Sequence, residues 1–213
     1  MRKIDFYTNP MSRGQIARWA LHEVGAEYTQ HLLNYGDAGI NGMKSPNYLA
    51  INPMGKVPAI VRGADIVTEC AAICAYLADV YPNADLAPKA GEHAHYYRWL
   101  AFAAGPLETA VTIRNLGFDI PQEKERMVGY GNYDLVVDTL ANHLAKNDYI
   151  CGGRFTMADV YVGSHVIWGL LFDTLPERSA FNNYARQLTI RPAYIAANEI
   201  DTKLIEKMQN SRN

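Results

Sequence analysis

The chain has 213 residues, with 20 Lys plus Arg against 22 Asp plus Glu, a net charge of −2 and 49% hydrophobic residues. That near-neutral balance excludes the basic excess of a phosphate-tracking nucleic-acid binder, and no apolar run reaches the roughly 18 residues of a membrane span. A chain of this length makes one large domain or two modest ones, and it buries about 70% of its unfolded surface, enough for a core without staples. Three cysteines, Cys70, Cys74 and Cys151, are an odd number without metal-ligand spacing. They predict reduced thiols, a cytoplasmic compartment and no metal site. The N-terminal Met1-Arg2-Lys3 is basic, but Asp5 interrupts any signal-peptide apolar segment. The expectation is a soluble intracellular protein that handles a small molecule, or an interaction module.

In chain order, Lys3 to Tyr7 alternates, with Ile4 and Phe6 on one face, and reads as a half-buried strand. Asn9-Pro10-Met11 breaks it. From Arg13, the residues Ile16, Ala17, Ala20, Leu21 and Val24 fall at helical spacing until Gly25. Glu27 to Leu33 predicts a second strand. Tyr35 to Asn47 is rich in Gly, Asn and Ser, and predicts an irregular connection with one helical turn. Lys56 to Arg62 and Asp65 to Val67 flank Gly63-Ala64 as a hairpin, and Ala72, Ile73, Tyr76, Leu77 and Val80 mark a helix. Residues 1–81 therefore read β-α-β, connection, β-β-α, an α+β domain. Residues 82–90 read as a proline-bounded linker, and 91–213 as an all-α domain. Within the latter, Glu92 to Leu116 predicts one long helix kinked at Pro106. Glu123 to Lys146 predicts another, with Tyr133, Val136, Val137, Leu140 and Leu144 on one face. Further helices follow over 155–172, 180–188 and from about Ala193. Thr156-Met157-Ala158-Asp159 reads as a structural capping box, with Phe155 and Val160 as the staple, and loss of either cap residue predicts a cost of about 0.5–2 kcal/mol.

Three segments of the first domain carry chemistry. Tyr7 to Gly14 joins a strand to a helix start, with the hydroxyls of Tyr7 and Ser12. In Asn52 to Pro58, Pro58 opens a strand without a donor, which leaves the Val57 backbone free to pair with an extended ligand if the Val57–Pro58 bond is cis. Thr68-Glu69-Cys70-Ala71 opens a helix whose first N–H groups make an anion site. A hydroxyl, a free strand backbone, Lys56 and a helix N-terminus suit a short anionic peptide carrying a nucleophile. Cys70 and Cys74, four residues apart, read as small core residues.

The chain resembles the cytosolic glutathione transferases over nearly its whole length, closest to bacterial serine-type (theta-like) members. The residues that carry this are the Ser12-to-Trp19 helix start, NPMGKVPAI at 52–60, TECAAICAYL at 68–77 and YICGGRFTMADVY at 149–161. The resemblance implies a thioredoxin-like N-terminal domain followed by an all-α C-terminal domain, a homodimer, and glutathione as cosubstrate with no bound cofactor. It implies that Val57, beside a cis Pro58, pairs with the cysteinyl unit. Glu69 and the Cys70 N–H would hold the γ-glutamyl end, and Lys56 would face the glycyl carboxylate. Cys70 stands where the family usually has Ser, a weaker donor in its place. Ser12 is favoured over Tyr7 as the activating hydroxyl, although Ser12-x-x-Gln15 also reads as a plain capping box.

Activation needs little. Lowering a thiol pKa of about 8.5 by ~2 units takes roughly 2.7 kcal/mol. One hydrogen bond to a charged acceptor supplies about 1.5–3 kcal/mol and a helix N-terminus about 0.3–1. Met11, Gly105 and Trp168 are the expected apolar contacts of a hydrophobic electrophile. The expected function is thioether formation, as part of detoxification. The alternatives are a non-catalytic glutathione-binding or interaction module, or a glutathione-dependent peroxidase or isomerase.

Overall fold

The structure is a computed structural model and describes residues 3–210. The ends of the expected domains and of the basic N-terminal run, Met1, Arg2 and residues 211–213, lie outside the described residues. The chain divides into two compact units, residues up to Asp85 together with those from Arg191, and Leu86–Ile190.

In the first unit, β1 (Ile4–Thr8) alternates buried and half-buried residues as its sequence pattern requires. It is followed by α1 (Gly14–Glu23), β2 (Tyr28–Leu32), the short α2 (Pro46–Leu49), β3 (Ala59–Arg62), β4 (Asp65–Val67) and α3 (Cys70–Val80). The sheet order is β2-β1-β3-β4, with β1 parallel to β2, and with β3 antiparallel to both β1 and β4. Ile4, Phe6 and Thr8 point into the core on one face. Tyr7 points to the other, where it packs with Leu33, Met43, Tyr48 and Val57.

Helix α1 buries Ile16, Ala17, Arg18, Trp19, Ala20 and Leu21 in succession. A one-sided surface helix cannot do that. The second cover is α9 (Pro192–Asn210), which packs on α1. The expected division places this last helix with the other helices of 91–213, whereas the contacts group it with the first unit. Three links hold it there. The Arg18 Nε donates to Asp201 Oδ2 at 2.9 Å with both side chains 1% exposed. Arg191 makes a two-pronged pair with Glu23 at 2.7 and 2.8 Å. The Trp19 and Tyr194 rings meet edge-to-face at 5.0 Å.

The second unit contains α4 (His93–Phe102), α5 (Glu108–Asn115), α6 (Tyr133–Leu144), α7 (Met157–Leu171) and α8 (Ser179–Thr189). Between α4 and α5, residues Ala103–Leu107 wind as a π-helical turn around Pro106. The missing proline N–H is absorbed by a local change of helix register, where the sequence predicts a kink. The helix expected over 123–146 is broken. Gln122–Met127 is a 3-10 segment, Gly131 takes a φ of +70°, and the Asn132 side chain caps α6 by accepting from the Leu135 N–H at 2.9 Å.

Helix α7 begins at the Thr156–Asp159 capping box. Fully buried Asp159 also serves more distant partners. Its Oδ2 accepts from the Thr156 N–H (2.8 Å) and hydroxyl (3.0 Å), and its Oδ1 from the Ile150 N–H (2.7 Å) and the Tyr184 hydroxyl (2.8 Å). Burial pushes its pKa to about 6, against the pull of all these donors.

Replacing Arg18 by Ala leaves Asp201 buried without its cation and is expected to cost about 3–5 kcal/mol of stability, most of it recovered in Arg18→Met/Asp201→Leu. Urea titrations of the three proteins check this. Asp159→Ala orphans four donors and is expected to cost about 3 kcal/mol or more, beyond the capping range, at about 1–3 kcal/mol per buried group left unsatisfied. Because the folded pKa of Asp159 lies above the unfolded value of about 3.9, its contribution is full below about pH 4 and is lost as pH rises through about 6. Urea midpoints measured from pH 4 to 7 are expected to show that fall in wild type and not in Asp159→Asn.

Candidate functional site

Asn9 organises the loop between β1 and α1. It is 2% exposed, and its amide donates to the Leu33 carbonyl at 2.8 Å while its Oδ1 accepts from the Met11 N–H at 2.9 Å. Its carbonyl accepts from the Ser12 hydroxyl at 2.6 Å. Ser12 Oγ in turn accepts from the Gly14 N–H at 2.9 Å. The capping box read from Ser12-x-x-Gln15 is not formed in that sense. The Gln15 N–H goes to the Ser12 carbonyl and its side-chain amide to the Pro10 carbonyl. Ser12 is bonded to its own turn because Asn9 offers a carbonyl closer than the third residue of the helix. Gly14 is required, since a Cβ there would come within 2.0 Å of the Thr8 hydroxyl.

The same device recurs at 52–58. The Asn52 Oδ1 accepts from the Met54 N–H at 3.1 Å, and its amide donates to the Lys56 carbonyl at 2.8 Å. The Tyr48 hydroxyl donates to that same carbonyl at 2.5 Å. Gly55 sits at φ +58°, where a Cβ would meet the Met43 carbonyl at 2.6 Å. The Val57–Pro58 bond is cis. Among the described residues no hydrogen bond engages the Val57 N–H or carbonyl, and Lys56 is exposed without an acidic partner.

Glu69 precedes α3 at φ +61° and ψ +113°, an unusual conformation for a residue with a side chain, and it is exposed. Its side chain makes no cap hydrogen bond to α3. The Cys70 thiol is 7% exposed and donates to the Arg13 carbonyl at 3.6 Å. This contact brings the start of α3 against the start of α1, so Ser12 and Glu69 are each one residue from it. The thiol thus faces the protein. Cys74 is buried as expected of a core residue.

Tyr7 lies elsewhere. Its ring stacks on His31 at 4.6 Å and tilts against Tyr48 at 5.5 Å, on the sheet face away from α1. Burial, then the Asp5 charge, raises its pKa. An open cleft of about 470 Å³ on this face is lined by Tyr7, His31, Asn41, Tyr48 and Ile51, without Ser12, Glu69 or Cys70. Met11 is 41% exposed in the β1–α1 loop of the first unit. In the second unit, Gly105 lies in the π-helical turn and Trp168 on α7. Among the described residues no group of three His, Cys, Asp or Glu could hold a metal ion, and no helix is long and apolar enough to cross a membrane.

The reading from sequence passes over Asn9 and Asn52, although each opens an Asn-Pro-Met tripeptide, a turn signal that occurs twice. It also passes over Tyr35, whose hydroxyl donates to the Met11 carbonyl at 2.8 Å. No local signal marks that residue.

Comparison with known proteins places this geometry. Residues 11–80 match the family model for the glutathione S-transferase N-terminal domain, and residues 121–196 match that for the C-terminal domain. Glutathione S-transferase 3 of Zea mays is 31% identical over 144 residues, covering 63% of this chain and 64% of that protein. Elongation factor 1-gamma 3 of Oryza sativa subsp. japonica is 27% identical over 157 residues, 70% of this chain and 37% of that one. The chain therefore spans less than two thirds of the length of these relatives. The crystal structure of the theta class glutathione S-transferase from Xanthomonas axonopodis pv. citri with glutathione bound superposes with a TM-score of 0.71 at 26% identity, covering 92% of this chain and 97% of that one. With a four-stranded mixed sheet flanked by helices in the first unit and a helical second unit, the chain belongs to the glutathione S-transferase family.

Proposed function

We propose that this protein conjugates the thiolate of glutathione to a hydrophobic electrophile, with Ser12 as the activating hydroxyl. The observation that carries the reading is the Cys70–Arg13 contact, which brings the residue after Ser12 against the first residue of α3. In this reading the Val57 backbone pairs with the cysteinyl unit, Glu69 and the α3 N–H groups hold the γ-glutamyl end, and Lys56 faces the glycyl carboxylate. Pro58 keeps that strand end without a donor of its own, and Met11 contacts the electrophile. Supporting this is the relative from Xanthomonas axonopodis, which has glutathione bound on a similar fold.

The Ser12 proton is directed at the Asn9 carbonyl. A thiolate is charged and is the stronger acceptor, so the proton turns to sulfur when glutathione is seated. Tyr7 is the weaker alternative, because its hydroxyl belongs to the other face of the sheet. We place the enzyme in the cytoplasm as a homodimer acting in detoxification. A non-catalytic interaction module is the second reading, favoured by the similarity to a protein named as an elongation factor subunit.

Retention on immobilised glutathione, followed by assay with an activated aryl chloride, separates the two. Binding with turnover supports the transferase, binding alone supports the module, and no binding overturns the use of glutathione. Ser12→Ala is expected to lower turnover at least about tenfold, the loss of one hydrogen bond to a charged acceptor, while Tyr7→Phe stays within about twofold of wild type. Equal rates for Ser12→Ala and wild type would transfer the role to Tyr7. Lys56→Ala is expected to raise the KM for glutathione about three- to tenfold with kcat nearly unchanged, since an exposed charge contributes about 1 kcal/mol of uniform binding.

A further inference from the structure

We infer that Asn9 is a positioning residue for Ser12, its anchored backbone setting the direction from which the Ser12 hydroxyl reaches the glutathione sulfur. The inference rests on the Ser12 reading above and deepens it, by naming the residue that holds the activating hydroxyl.

The need for Asn9 begins with Pro10. Strands β1 and β2 run parallel in a register that pairs Thr8 with Leu32, so the next pair is Asn9 with Leu33. In a parallel ladder a residue gives its N–H to the carbonyl before its partner and takes at its own carbonyl the N–H after it. The Leu33 N–H does bond the Thr8 carbonyl, at 2.9 Å. The Leu33 carbonyl would then take the N–H of residue 10, which a proline lacks. The Asn9 side-chain amide supplies the missing donor at 2.8 Å, and its Oδ1 closes the turn onto the Met11 N–H at 2.9 Å. The side chain is 2% exposed and held at both ends, which fixes the backbone of residue 9 against the sheet.

Ser12 is oriented by that backbone. A serine hydroxyl has one proton and two lone pairs. In Ser12 the proton goes to the Asn9 carbonyl at 2.6 Å, and one lone pair accepts from the Gly14 N–H at 2.9 Å. These two bonds set the side-chain torsion, and both partners are main-chain groups of the loop that Asn9 ties down. The oxygen is therefore in place before the reaction, and only its proton has to turn from carbonyl to sulfur, the kind of donor that costs no reorganisation when charge develops. Asn52 offers an internal comparison. It closes the same turn onto the Met54 N–H, but its amide goes to the Lys56 carbonyl, beside Val57 rather than beside the hydroxyl.

The test uses the full-length protein, with Asn9→Ala, Asn52→Ala, Ser12→Ala and the Asn9→Ala/Ser12→Ala double variant assayed with glutathione and an aryl chloride across the pH range in which the bound thiol ionises. Asn9→Ser keeps an acceptor for the Met11 N–H and is read in place of Asn9→Ala if the alanine variant does not fold. Asn9→Ala is expected to lower kcat about three- to tenfold and to move the apparent thiol pKa upward by about 0.5–1 unit, one unit being tenfold in thiolate. Its KM for glutathione is expected to stay within about twofold, whereas Asn52→Ala raises KM about three- to tenfold with the smaller change in kcat. The double variant is expected to be no slower than Ser12→Ala, because without the hydroxyl nothing is left to position. Four results overturn the role of Asn9 while leaving Ser12 in place. They are a pH profile superimposable on wild type, a kcat loss of the same size in Asn52→Ala, a double variant slower than Ser12→Ala by the full Asn9→Ala factor, and failure of both Asn9 variants to fold. Wild-type rates in Ser12→Ala overturn the Ser12 reading itself, and this inference with it.

Discussion

The first unit depends on one buried charge. Arg18 is fully buried, and a guanidinium removed from water is tolerated only where its N–H groups are met. Its Nε donates to Asp201 on α9, one terminal nitrogen to the Tyr28 hydroxyl and the other to Gln30 Oε1 at 2.6 Å, while its plane lies over the Phe6 ring. The side chain therefore ties α1 to β1, β2 and α9 at once. Burial raises the Asp201 pKa while the bond and charge of Arg18 lower it, so the carboxylate depends on its partner as much as the partner depends on it. Such a pair is not a large net source of stability. What it does is specify, because any other seating of α1 or α9 leaves a charge in the core.

Ser12 lies just before the start of α1, the helix that this arrangement seats, and the groups around it stand on turns rather than on regular elements. Asn9 and Asn52 each convert an Asn-Pro-Met tripeptide into a closed turn by capturing the N–H two residues on and a carbonyl elsewhere. The turns are rigid because their polar groups are satisfied, and the chain between them leaves the Val57 backbone without a hydrogen-bond partner among the described residues and Lys56 exposed. The chemistry asked of them is small. A shift of ~2 pKa units in a thiol is roughly 2.7 kcal/mol, within reach of one hydroxyl and a helix terminus. A fold that supplies these groups on stiff turns needs no general base for the proposed reaction.

The second unit has its own centre in Asp159. A reading of Thr156 to Asp159 as a capping box accounts for the local bonds, and the fold adds Ile150 and Tyr184 to the same carboxylate. Glycines let α7 come close to its surroundings. A Cβ at Gly163 would come within 2.3 Å of the Leu188 side chain, and one at Gly169 within 2.5 Å of Leu175. The cap, the loop before it and α8 are thus a single packed assembly.

Several features are local and were legible in the residues themselves. The alternation of Ile4 and Phe6, the helical spacing from Ile16 to Val24, the hairpin around Gly63-Ala64 and the capping box all depend on neighbours a few positions away, and nearest-neighbour physics suffices for them. So does the order β-α-β-β-β-α, since hydrophobic period and turn residues encode it directly. The break at 128–132 was less legible, because the apolar period of α6 continues into residues that Gly131 and Asn132 then remove from the helix. Only tertiary structure decided what depends on residues far apart in sequence. Arg18 meets Asp201 across 183 positions, α9 joins the first unit, and the Cys70 thiol turns inward to Arg13. The Tyr35 hydroxyl comes to rest on the Met11 carbonyl in the same way. The sequence by itself determined which polar groups the chain carries and which elements hold them. Which of those groups meet was decided by folding, because a buried polar atom must find a partner wherever the packed chain brings one.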